Sequence, residues 1–529
     1  MASVDISPAT ALHRRARYAG DSTALVYEGV EISAAALGAT VRRLAAGLSA
    51  HGLRRGDRIA YLGLNSAALF QTLFAAAQLG AVFVPLNHRL AADEVRHILV
   101  DSGAHTLVVE EGHRTLVESI LTEVPARRHV LVDTDPACPA ADAPPATWTP
   151  LSALLRSADL DLDPVELHED DLAALMYTSG TTGRPKGVML THGNLWWNAV
   201  NVDSAVDTRP DDVNLAVAPL FHIGGLNALT LRALQRGGTI VLRRTFDPEQ
   251  CLDDLVRHRV TSVFAVPAMF TAVARTAGFA EADLSGLRAA IVAGAPVPPQ
   301  LIRDYATQHG VFLQQAWGLT ETAPFATYLP AALTLEKVGS AGAPMPYTEV
   351  CLLAPGSGVK ITESEVRGEI CVRGPNVTPG YWNNPGATDE AFDDAGWFHS
   401  GDIGYRDRDG FYFVVDRIKE MIISGGENVY PAEVERVLSE FPGVVEAAVV
   451  GVPDPKWGET VLAVLTCRRG VEPTLEQVRE FAGRHLARYK LPTKVLVVDE
   501  LPRNASGKLA KARLRDWVAQ RSTHEGSPS

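Results

Sequence analysis

The 529-residue sequence has few cysteines, no excess of positive charge and no long uninterrupted hydrophobic segment. Its five cysteines include no CxxC pair, which argues against a disulfide scaffold or a structural zinc site and favours a reducing compartment. Lysine and arginine total 49 against 62 aspartates and glutamates, giving a formal net charge of −13. Because such a surface repels phosphate backbones, a nucleic-acid-binding protein is not expected.

The N-terminus also lacks the apolar core of a secretion signal. The most hydrophobic stretch, 69–86, is interrupted by Gln71, Gln78, Gly80 and Pro85. This pattern predicts a buried helix followed by a buried strand rather than a membrane span. The protein is therefore expected to be cytoplasmic.

Short β-branched runs alternate with helical stretches rich in alanine and leucine through most of the chain. Examples are strand 58–62 before helix 66–78 and strand 239–242 before a helix starting near Pro248. The alternation predicts an α/β fold with mainly parallel sheets. The Pro-, Ala- and Asp-rich segment 134–150 predicts a surface loop.

A domain boundary is predicted near residue 417, where strand 410–416 ends and a smaller α+β pattern begins. That pattern comprises a helix from Pro431, strand 444–452, a helix from the Thr474/Gln477 capping box to 486, and strand 494–498. The predicted organisation is a large, multi-subdomain N-terminal domain, 1–417, and a small C-terminal domain, 418–529. A disordered tail is expected from about residue 522.

The most informative segment is 177–188, YTSGTTGRPKGV, which follows the apolar run 172–177. Its glycines allow a tight turn, its hydroxyl side chains and backbone N–H groups donate hydrogen bonds, and Lys186 adds positive charge. Such a loop suits a polyphosphate, although composition alone also allows a plain surface turn. It matches neither the Walker pattern GxxxxGK[ST] nor GxGxxG, so it belongs to neither common class of phosphate loop.

This loop resembles the phosphate-loop signature of the adenylate-forming superfamily, which comprises acyl-CoA synthetases, carrier-loading adenylation domains and firefly-type luciferases. Further motifs follow in the family's order: PLFHIGG at 219–225, VAGAP at 292–296, QAWGLTET at 315–322, WFHSGDIG at 397–404 and PRNASGK at 502–508. Within the superfamily, the chain is most similar to the fatty-acyl and aryl-CoA synthetases. The resemblance implies that it uses ATP, Mg²⁺ and coenzyme A.

The resemblance also implies roles for individual residues. The ATP-binding set is Thr178, Ser179, Gly180, Thr181, Thr182, Gly183, Lys186, Gly294, Ala295, Pro296, Ala316, Trp317, Gly318, Thr320, Asp402, Arg417 and Lys508. In this set, Trp317 would stack on adenine at a position where most relatives carry tyrosine, and Asp402 and Arg417 would bind the ribose. Thr178 and Glu321 would hold Mg²⁺, and the catalytic set is Lys508, His222, Thr320 and Glu321.

Two successive reactions explain why the resemblance implies a mobile C-terminal lid. In adenylation, a carboxylate attacks the α-phosphorus of ATP, so cations such as Lys508 must neutralise two colliding anions. In thioester formation, Lys508 would obstruct the incoming thiol, so the lid must rotate about a hinge, which the family places at Lys419. The coenzyme A arm would then lie against Ser424, Gly425, Gly426 and Glu427.

The identity of the acid is less defined than the chemistry. The expected acyl pocket comprises His222, Leu226, Asn227, Phe264, Met269 and Ala323. Segment 222–229 has no acidic residue, although a carrier-loading domain for amino acids needs one to pair the substrate ammonium. A medium- or long-chain fatty acid or a bulky aryl or polycyclic acid is therefore expected, and Gly224 and Gly225 slightly favour the broader acid.

The leading hypothesis is an ATP-dependent acid–thiol ligase that makes acyl-CoA and AMP. One alternative is an adenylate-forming enzyme that loads a carrier protein or performs only one half-reaction. Another is a nucleotide sensor without catalysis, which the joint presence of Lys508, Glu321 and Asp402 argues against. The expected partners are a small carboxylic acid and CoA or an acyl carrier protein, and a homodimer is among the expected assemblies.

Overall fold

The computed structural model describes residues 5–138, 145–156, 165–178, 185–354, 356, 358–417, 420, 422–424, 427–454, 458–486, 488–503 and 509–524. The chain forms two compact units. The first comprises Met1–Val350 with Val372–Phe398, and the second comprises Cys351–Cys371 with His399–Ser529. The boundary near residue 417, drawn from the sequence pattern, stays a prediction.

The described strands of the first unit lie in two sheets. In chain order they are β1 (Thr23–Tyr27), β2 (Val30–Ser33), β3 (Arg58–Leu62), β4 (Val82–Leu86), β5 (Thr106–Glu110), β6 (Arg128–Val132), β7 (Thr149–Pro150), β8 (Leu172–Thr178), β9 (Lys186–Thr191), β10 (Val213–Ala216), β11 (Thr239–Leu242), β12 (Ser262–Ala265), β13 (Ala289–Val292), β14 (Leu313–Gly318), β15 (Phe325–Tyr328) and β16 (Ala343–Pro344).

Helices occupy the connections between these strands. Those described are α1 (Pro8–Tyr18), α2 (Ala34–Ala50), α3 (Ala67–Leu79), α4 (Ala92–Ser102), α5 (Arg114–Glu118), α6 (Leu151–Leu155), α7 (His192–Ala205), α8 (Ile223–Asn227), α9 (Thr230–Arg236), α10 (Pro248–Arg257), α11 (Pro267–Ala274), α12 (Pro299–His309) and α13 (Pro385–Ala391).

Both sheets of the first unit are mainly parallel. Within the described residues, one has the order β16-β15-β14-β13-β12-β10-β11-β1-β2 and the other β7-β6-β5-β3-β4-β8-β9. The antiparallel pairings are confined to the edges, at β1–β2, β14–β15–β16 and β8–β9. Helical crossovers cover parallel strands on both faces, so the predicted α/β class is confirmed.

The hydrophobic stretch 69–86 is a buried helix and strand, as predicted. The hydroxyl of Ser66 accepts a hydrogen bond from Leu69 N and starts α3, and Gly80 ends the helix with φ +65°. All five residues of β4 are buried. No helix in the described part of the chain has the length and hydropathy of a membrane span.

Segment 134–150 is not simply a surface loop, and this prediction was wrong for the two ends that the structure describes. Asp135 is 4% exposed, and its carboxylate accepts hydrogen bonds from the hydroxyl of Tyr27 and from Arg244. Trp148 is also buried, and its indole donates to Glu118. Composition indicated a loop because proline and alanine dominate the middle, but the partners of Asp135 are distant in sequence, with Tyr27 in β1 and Arg244 just after β11.

The second unit contains most of the remaining elements. Its strands are β17 (Glu349–Leu353), β18 (Lys360–Ile361), β19 (Gly368–Arg373), β20 (Phe398–Arg406), β21 (Tyr412–Arg417), β22 (Ile422–Ser424), β23 (Glu427–Val429), β24 (Val444–Asp454), β25 (Gly458–Cys467) and β26 (Lys494–Val497). Its helices are α14 (Pro431–Leu438), α15 (Leu475–Ala482) and α16 (Lys511–His524). The described strands form the sheets β18-β17-β19-β20-β21 and β23-β22-β25-β24, with β26 beside β25.

The small α+β pattern predicted after residue 417 is confirmed, with two differences at helix ends. Thr474 and Gln477 form the predicted capping box, but α15 ends at Ala482 rather than at 486. Leu486 still packs into the core of this unit. Helix α16 continues to His524, so the predicted disorder is wrong for 522–524, and the remainder of the tail lies outside the described residues.

A buried histidine in the first unit makes folding sensitive to acid. His192 is 2% exposed, and neither of its ring nitrogens has a hydrogen-bond partner among the described residues. Burial lowers the pKa of His192 from 6.5 to about 4, against the smaller opposing effects of Asp5 and Asp171. The unfolded chain therefore binds a proton below pH 6.5 that the folded chain does not bind until about pH 4.

We expect His192 to remove up to about 3 kcal/mol of stability as pH falls from 6.5 to 4, with no effect above pH 7.5. Thermal midpoints of wild type and His192→Leu, measured across that range, check this, and the variant should lose less stability in acid. His168→Leu, at an exposed histidine, is the matched control. Equal pH slopes for wild type and His192→Leu would show that His192 is not the group responsible.

Candidate active site

The loop predicted to bind phosphate connects β8 to β9 at one edge of the seven-stranded sheet. Thr178 ends β8 and lies opposite Lys186, the first residue of β9, and both are partly exposed. The antiparallel pairing therefore brings a hydroxyl and an ammonium to the two ends of the loop. The predicted loop residues Ser179, Gly180, Thr181, Thr182 and Gly183 lie outside the described residues.

The predicted Mg²⁺ ligand Glu321 lies in a tight turn after β14. The strand ends at Gly318, where a Cβ atom would overlap the carbonyl oxygen of Pro324, so only glycine fits the turn. A 3₁₀ turn, Thr320–Thr322, follows and ends at Ala323 with φ +62°. Glu321 is 8% exposed, so the turn holds this carboxylate in a largely dry position.

A segment near the end of the first unit connects these two loops. Met189 N in β9 donates to Gly380 O at 3.0 Å, and Trp382 N donates to Gly187 O at 2.8 Å. Between these bonds, the hydroxyl of Tyr381 donates to Oε1 of Glu321 at 2.8 Å. The ammonium of Lys186 lies 5.3 Å from the centre of the same ring. The structure therefore places Lys186 and Glu321 beside the same side chain, that of Tyr381.

The sequence patterns did not predict Tyr381 as a site residue. Burial, followed by the negative charge of Glu321, raises the pKa of Tyr381 well above its ordinary value, so the phenol keeps its proton and remains a donor. The only local signal was the aromatic pair after Gly380 in PGYW, which is equally typical of a turn. Its partner Glu321 is 60 positions away in sequence.

The segments predicted to bind adenine lie at one edge of the nine-stranded sheet. Strands β13 and β14 are parallel, with Val292 opposite Gln315. Their carboxyl ends therefore bring two groups to the same edge, and ligands of α/β proteins bind at such edges. One group is the exposed turn Gly294, Ala295 and Pro296, where Gly294 has φ +88°, and the other is Ala316, Trp317, Gly318 and Thr320.

Four of the predicted acyl-pocket residues lie in α8 or contact it or its neighbours. His222 precedes α8, and its ring lies 4.3 Å from that of Phe221. The side-chain amide of Asn227 donates to Ala323 O at 2.7 Å, which ties α8 to the Glu321 turn. Leu226 and Ala323 belong to one buried cluster, whereas Met269 packs against a different cluster that contains Phe270 and Tyr305.

The sixth predicted pocket residue, Phe264, changes the interpretation of the pocket's width. A Cβ on Gly224 would lie 2.7 Å from the ring of Phe264, and a Cβ on Gly225 would overlap the backbone oxygen of Pro219. The two glycines therefore admit neighbouring protein atoms and do not open space for a broad ligand. Gly224 and Gly225 therefore give no reason to expect a broad pocket, because glycine spacing does not reveal what fills the vacated volume.

In the second unit, the predicted ribose ligand Asp402 lies in β20, opposite Arg417 at the end of β21. Asp402 is 4% exposed, and its backbone N–H donates to Ser400 Oγ at 3.0 Å. Glu369 stabilises this strand, because its carboxylate accepts from Gly401 N at 3.0 Å and contacts His399 Nδ1 at 2.8 Å. The side chain of Arg417 lies outside the described residues.

The residues predicted for hinge motion and thiol transfer are described only in part. Ser424 ends β22 and lies opposite Glu427, which starts β23. The side chain of Glu427 and the whole of Lys419, Gly425, Gly426 and Lys508 lie outside the described residues. Their assigned roles stay predictions.

Comparison with known families identifies the architecture. The model of the AMP-binding enzyme family matches residues 12–382, and the model of the AMP-binding enzyme C-terminal domain matches 433–508. The chain belongs to the AMP-binding enzyme family. The resemblance drawn from YTSGTTGRPKG to the adenylate-forming superfamily is thereby confirmed.

Named CoA ligases and synthetases match this chain over nearly its full length. A feruloyl-CoA synthase of Amycolatopsis sp. is 46% identical over 502 residues, covering 95% of this chain and 97% of the relative. An indoleacetate–CoA ligase of Aromatoleum aromaticum is 41% identical over 514 residues, with 96% and 98% covered. The structure of o-succinylbenzoate CoA synthetase from Bacillus subtilis with ATP and a magnesium ion has a TM-score of 0.83, 34% identity and 96% and 99% coverage.

The oxygen donors near the phosphate loop fit Mg²⁺. This hard ion prefers carboxylate, hydroxyl and phosphate oxygens, and Thr178 and Glu321 offer a hydroxyl and a carboxylate. A second group in the described chain, Glu369, Cys371 and His399, has donor atoms within 4.8 Å of one another. These three side chains already contact each other, at 2.8 Å and 3.6 Å from His399 Nδ1, and thus stabilise the strands beside Asp402.

Proposed function

We propose that this protein converts a bulky aryl carboxylic acid to its CoA thioester. The chain is an ATP-dependent, AMP-forming acyl-CoA ligase that uses Mg²⁺ and coenzyme A, in keeping with its family and its near full-length CoA ligase relatives. The assignment of an aryl acid is supported by the relatives named for feruloyl-CoA and indoleacetate, and by the wall that Phe264 contributes to the expected pocket.

The assignment of an aryl acid depends mainly on the position of Phe264. Its ring packs against Gly224 and lies 6.2 Å from the ring of Phe325, yet Phe264 stays partly exposed. A partly exposed aromatic ring that is fixed by its neighbours suits a planar ligand, because offset or edge contacts between rings contribute about 0.5–1.5 kcal/mol beyond burial. A flexible alkyl chain gains no such contribution.

The pocket's electrostatics support an uncharged side group on the acid. Segment 222–229 contains no Asp or Glu, and Asn227 uses its amide on the carbonyl of Ala323. An α-ammonium placed there would lack a carboxylate partner, and an unpaired buried charge is strongly disfavoured. An amino-acid substrate is therefore disfavoured.

In the first step, a carboxylate oxygen of the acid attacks the α-phosphorus of ATP, and pyrophosphate leaves. The site must bring two anions together, so its own residues contribute positive charge and orientation. Lys186 supplies a cation at the phosphate loop, and Thr178 and Glu321 would hold Mg²⁺, which neutralises phosphate charge when bound. Lys508 of the C-terminal lid supplies the second cation.

In the second step, the thiol of CoA attacks the acyl carbon, its proton is lost to solvent and AMP leaves. The attack at this stage is on the acyl carbon and not on phosphorus, so Lys508 is not required to bring two anions together, and it would obstruct the thiol. The lid therefore rotates about Lys419, and the turn at Ser424–Glu427 then guides the pantetheine arm. Gly425 and Gly426 have no side chains, which would leave room for the arm.

A panel of acids tests the proposal directly. Ferulate, indoleacetate, octanoate and laurate are each supplied with ATP, Mg²⁺ and CoA, and AMP and thioester are both quantified. We expect kcat/KM for the better aryl acid to exceed that for either fatty acid by at least about tenfold, or about 1.4 kcal/mol. A higher kcat/KM for laurate would overturn the aryl assignment. Holo-acyl carrier protein in place of CoA tests the other acceptor.

Replacing Phe264 by leucine should separate aryl from alkyl substrates. Leucine keeps an apolar wall but loses the ring face, so kcat/KM should fall about three- to tenfold for the aryl acid and less than twofold for octanoate. Phe312→Leu, at a phenylalanine that is 37% exposed, is the matched control. An equal loss for both acids would mean that Phe264 supports the fold and does not recognise the aryl ring.

A further inference from the structure

We propose that Tyr381 is a positioning residue for the phosphate site. Its side chain fixes the carboxylate of Glu321 and the ammonium of Lys186 at set positions relative to each other. The proposal deepens the proposed function and rests on the role of Glu321 as a metal ligand. The hydroxyl of Tyr381 donates to Glu321 Oε1 at 2.8 Å, while the ring centre lies 5.3 Å from Lys186 Nζ. One side chain thus contacts both charged groups.

The backbone around Tyr381 is fixed on both sides. Gly380 O accepts from Met189 N at 3.0 Å, and Trp382 N donates to Gly187 O at 2.8 Å. Tyr381 itself forms an isolated antiparallel bridge with Val188 of β9. Strand β9, which starts at Lys186, therefore sets the position of Tyr381. The tyrosine ring and Lys186 are thus held by the same strand.

The main chain of Glu321 is held from the same segment. Thr378 N donates to Glu321 O at 2.8 Å, and the hydroxyl of Thr378 donates to Met189 O at 2.6 Å. The segment 378–382 therefore holds Glu321 by its backbone through Thr378 and by its carboxylate through Tyr381. Both contacts lead back to β9, so the metal-ligand turn and the phosphate loop are connected through this segment.

The chemistry of the ring suits this arrangement. The phenol is a hydrogen-bond donor to the carboxylate of Glu321, and this bond fixes the orientation of Oε1. The π-face attracts the ammonium of Lys186 without neutralising it, because the ring carries no net charge. Lys186 and Glu321 can then act on the phosphates and on Mg²⁺ without pairing with each other. Outer hydrogen-bond partners of metal ligands commonly contribute 10–100-fold in metal affinity.

The test replaces Tyr381 by phenylalanine in the full-length protein and measures metal binding without turnover. Mn²⁺ serves as the probe and is titrated by electron paramagnetic resonance in the presence of α,β-methylene-ATP, which cannot be cleaved at the α-phosphorus. We expect Tyr381→Phe to weaken Mn²⁺ binding about tenfold while it retains the ring beside Lys186. Tyr381→Leu should in addition weaken binding of the nucleotide at saturating Mn²⁺, because the contact to Lys186 is lost.

Tyr305→Phe is the matched control, since Tyr305 is fully buried in another cluster and its hydroxyl donates to Phe270 O at 2.9 Å. Thermal midpoints of the two Phe variants show whether each one folds, and the control should bind Mn²⁺ like wild type. Wild-type Mn²⁺ affinity in Tyr381→Phe, with strong loss in Glu321→Gln, would overturn the positioning role alone. Wild-type affinity in both variants would overturn the assignment of Glu321 as well.

Discussion

Glu321→Gln should reduce acid-dependent exchange of pyrophosphate into ATP by at least about a hundredfold, because it removes a buried charge from the phosphate site. Glutamine has the shape of glutamate, and its carbonyl oxygen can still accept the hydrogen bond from Tyr381. The variant therefore isolates the charge from the packing of the turn. Because Glu321 is only 8% exposed, solvent screens little of its interaction with a cation.

The exchange assay is run at several Mg²⁺ concentrations with the best acid from the panel. If Glu321 holds the metal, excess Mg²⁺ should recover part of the lost activity, since weaker binding is offset by mass action. Glu349→Gln is the matched control, because the Glu349 side chain is 63% exposed and pairs with Arg373. Exchange within threefold of wild type in Glu321→Gln would contradict the metal role.

Lys508→Ala should lower adenylation by at least about a hundredfold, whereas it leaves thioester formation from pre-made acyl-adenylate nearly unchanged. A preorganised charge of this kind contributes about 3–4 kcal/mol to a transition state, and each 1.36 kcal/mol changes the rate tenfold. The second step takes place at the acyl carbon and does not bring two anions together at phosphorus, so the ammonium is not required there. Pyrophosphate exchange measures the first step, and CoA consumption with synthetic aryl-adenylate measures the second.

Lys494→Ala is the control for Lys508→Ala. Lys494 is an exposed residue of β26 in the same unit of the chain, so its removal tests the loss of a lysine as such. Both rates should remain within a factor of two in this control. Equal losses in the two half-reactions of Lys508→Ala would indicate that the residue supports the lid's structure and is not specific to adenylation.

Local patterns predicted the elements that depend on neighbouring residues. The helix predicted over 66–78 is α3, Ala67–Leu79, with Ser66 as its cap, because a serine and an alanine–leucine run need no distant partner. Strands β3 and β11 also match the predicted bounds. The end of α15 was predicted less well, since Leu486 packs in the core whether or not it is helical.

Features that depend on distant contacts were missed or misread. Asp135 lies in a proline-rich segment, yet Tyr27 and Arg244 bury it. Gly224 suggested an open pocket, yet the ring of Phe264 occupies the adjacent space. In each case, the partner is distant in sequence, and composition does not identify which distant segments become neighbours.

The sequence by itself determined the α/β class, the phosphate-loop motif and the family, because those follow from short-range periodicity and from motif residues that stand close together in the chain. Only the tertiary structure decided that Tyr381 connects Glu321 to Lys186, and that Phe264 forms a wall beside Gly224. Those relations arise from β9 pairing with the segment around Tyr381 and from β12 lying beside α8. These contacts join residues that are far apart in sequence, so local composition cannot predict them.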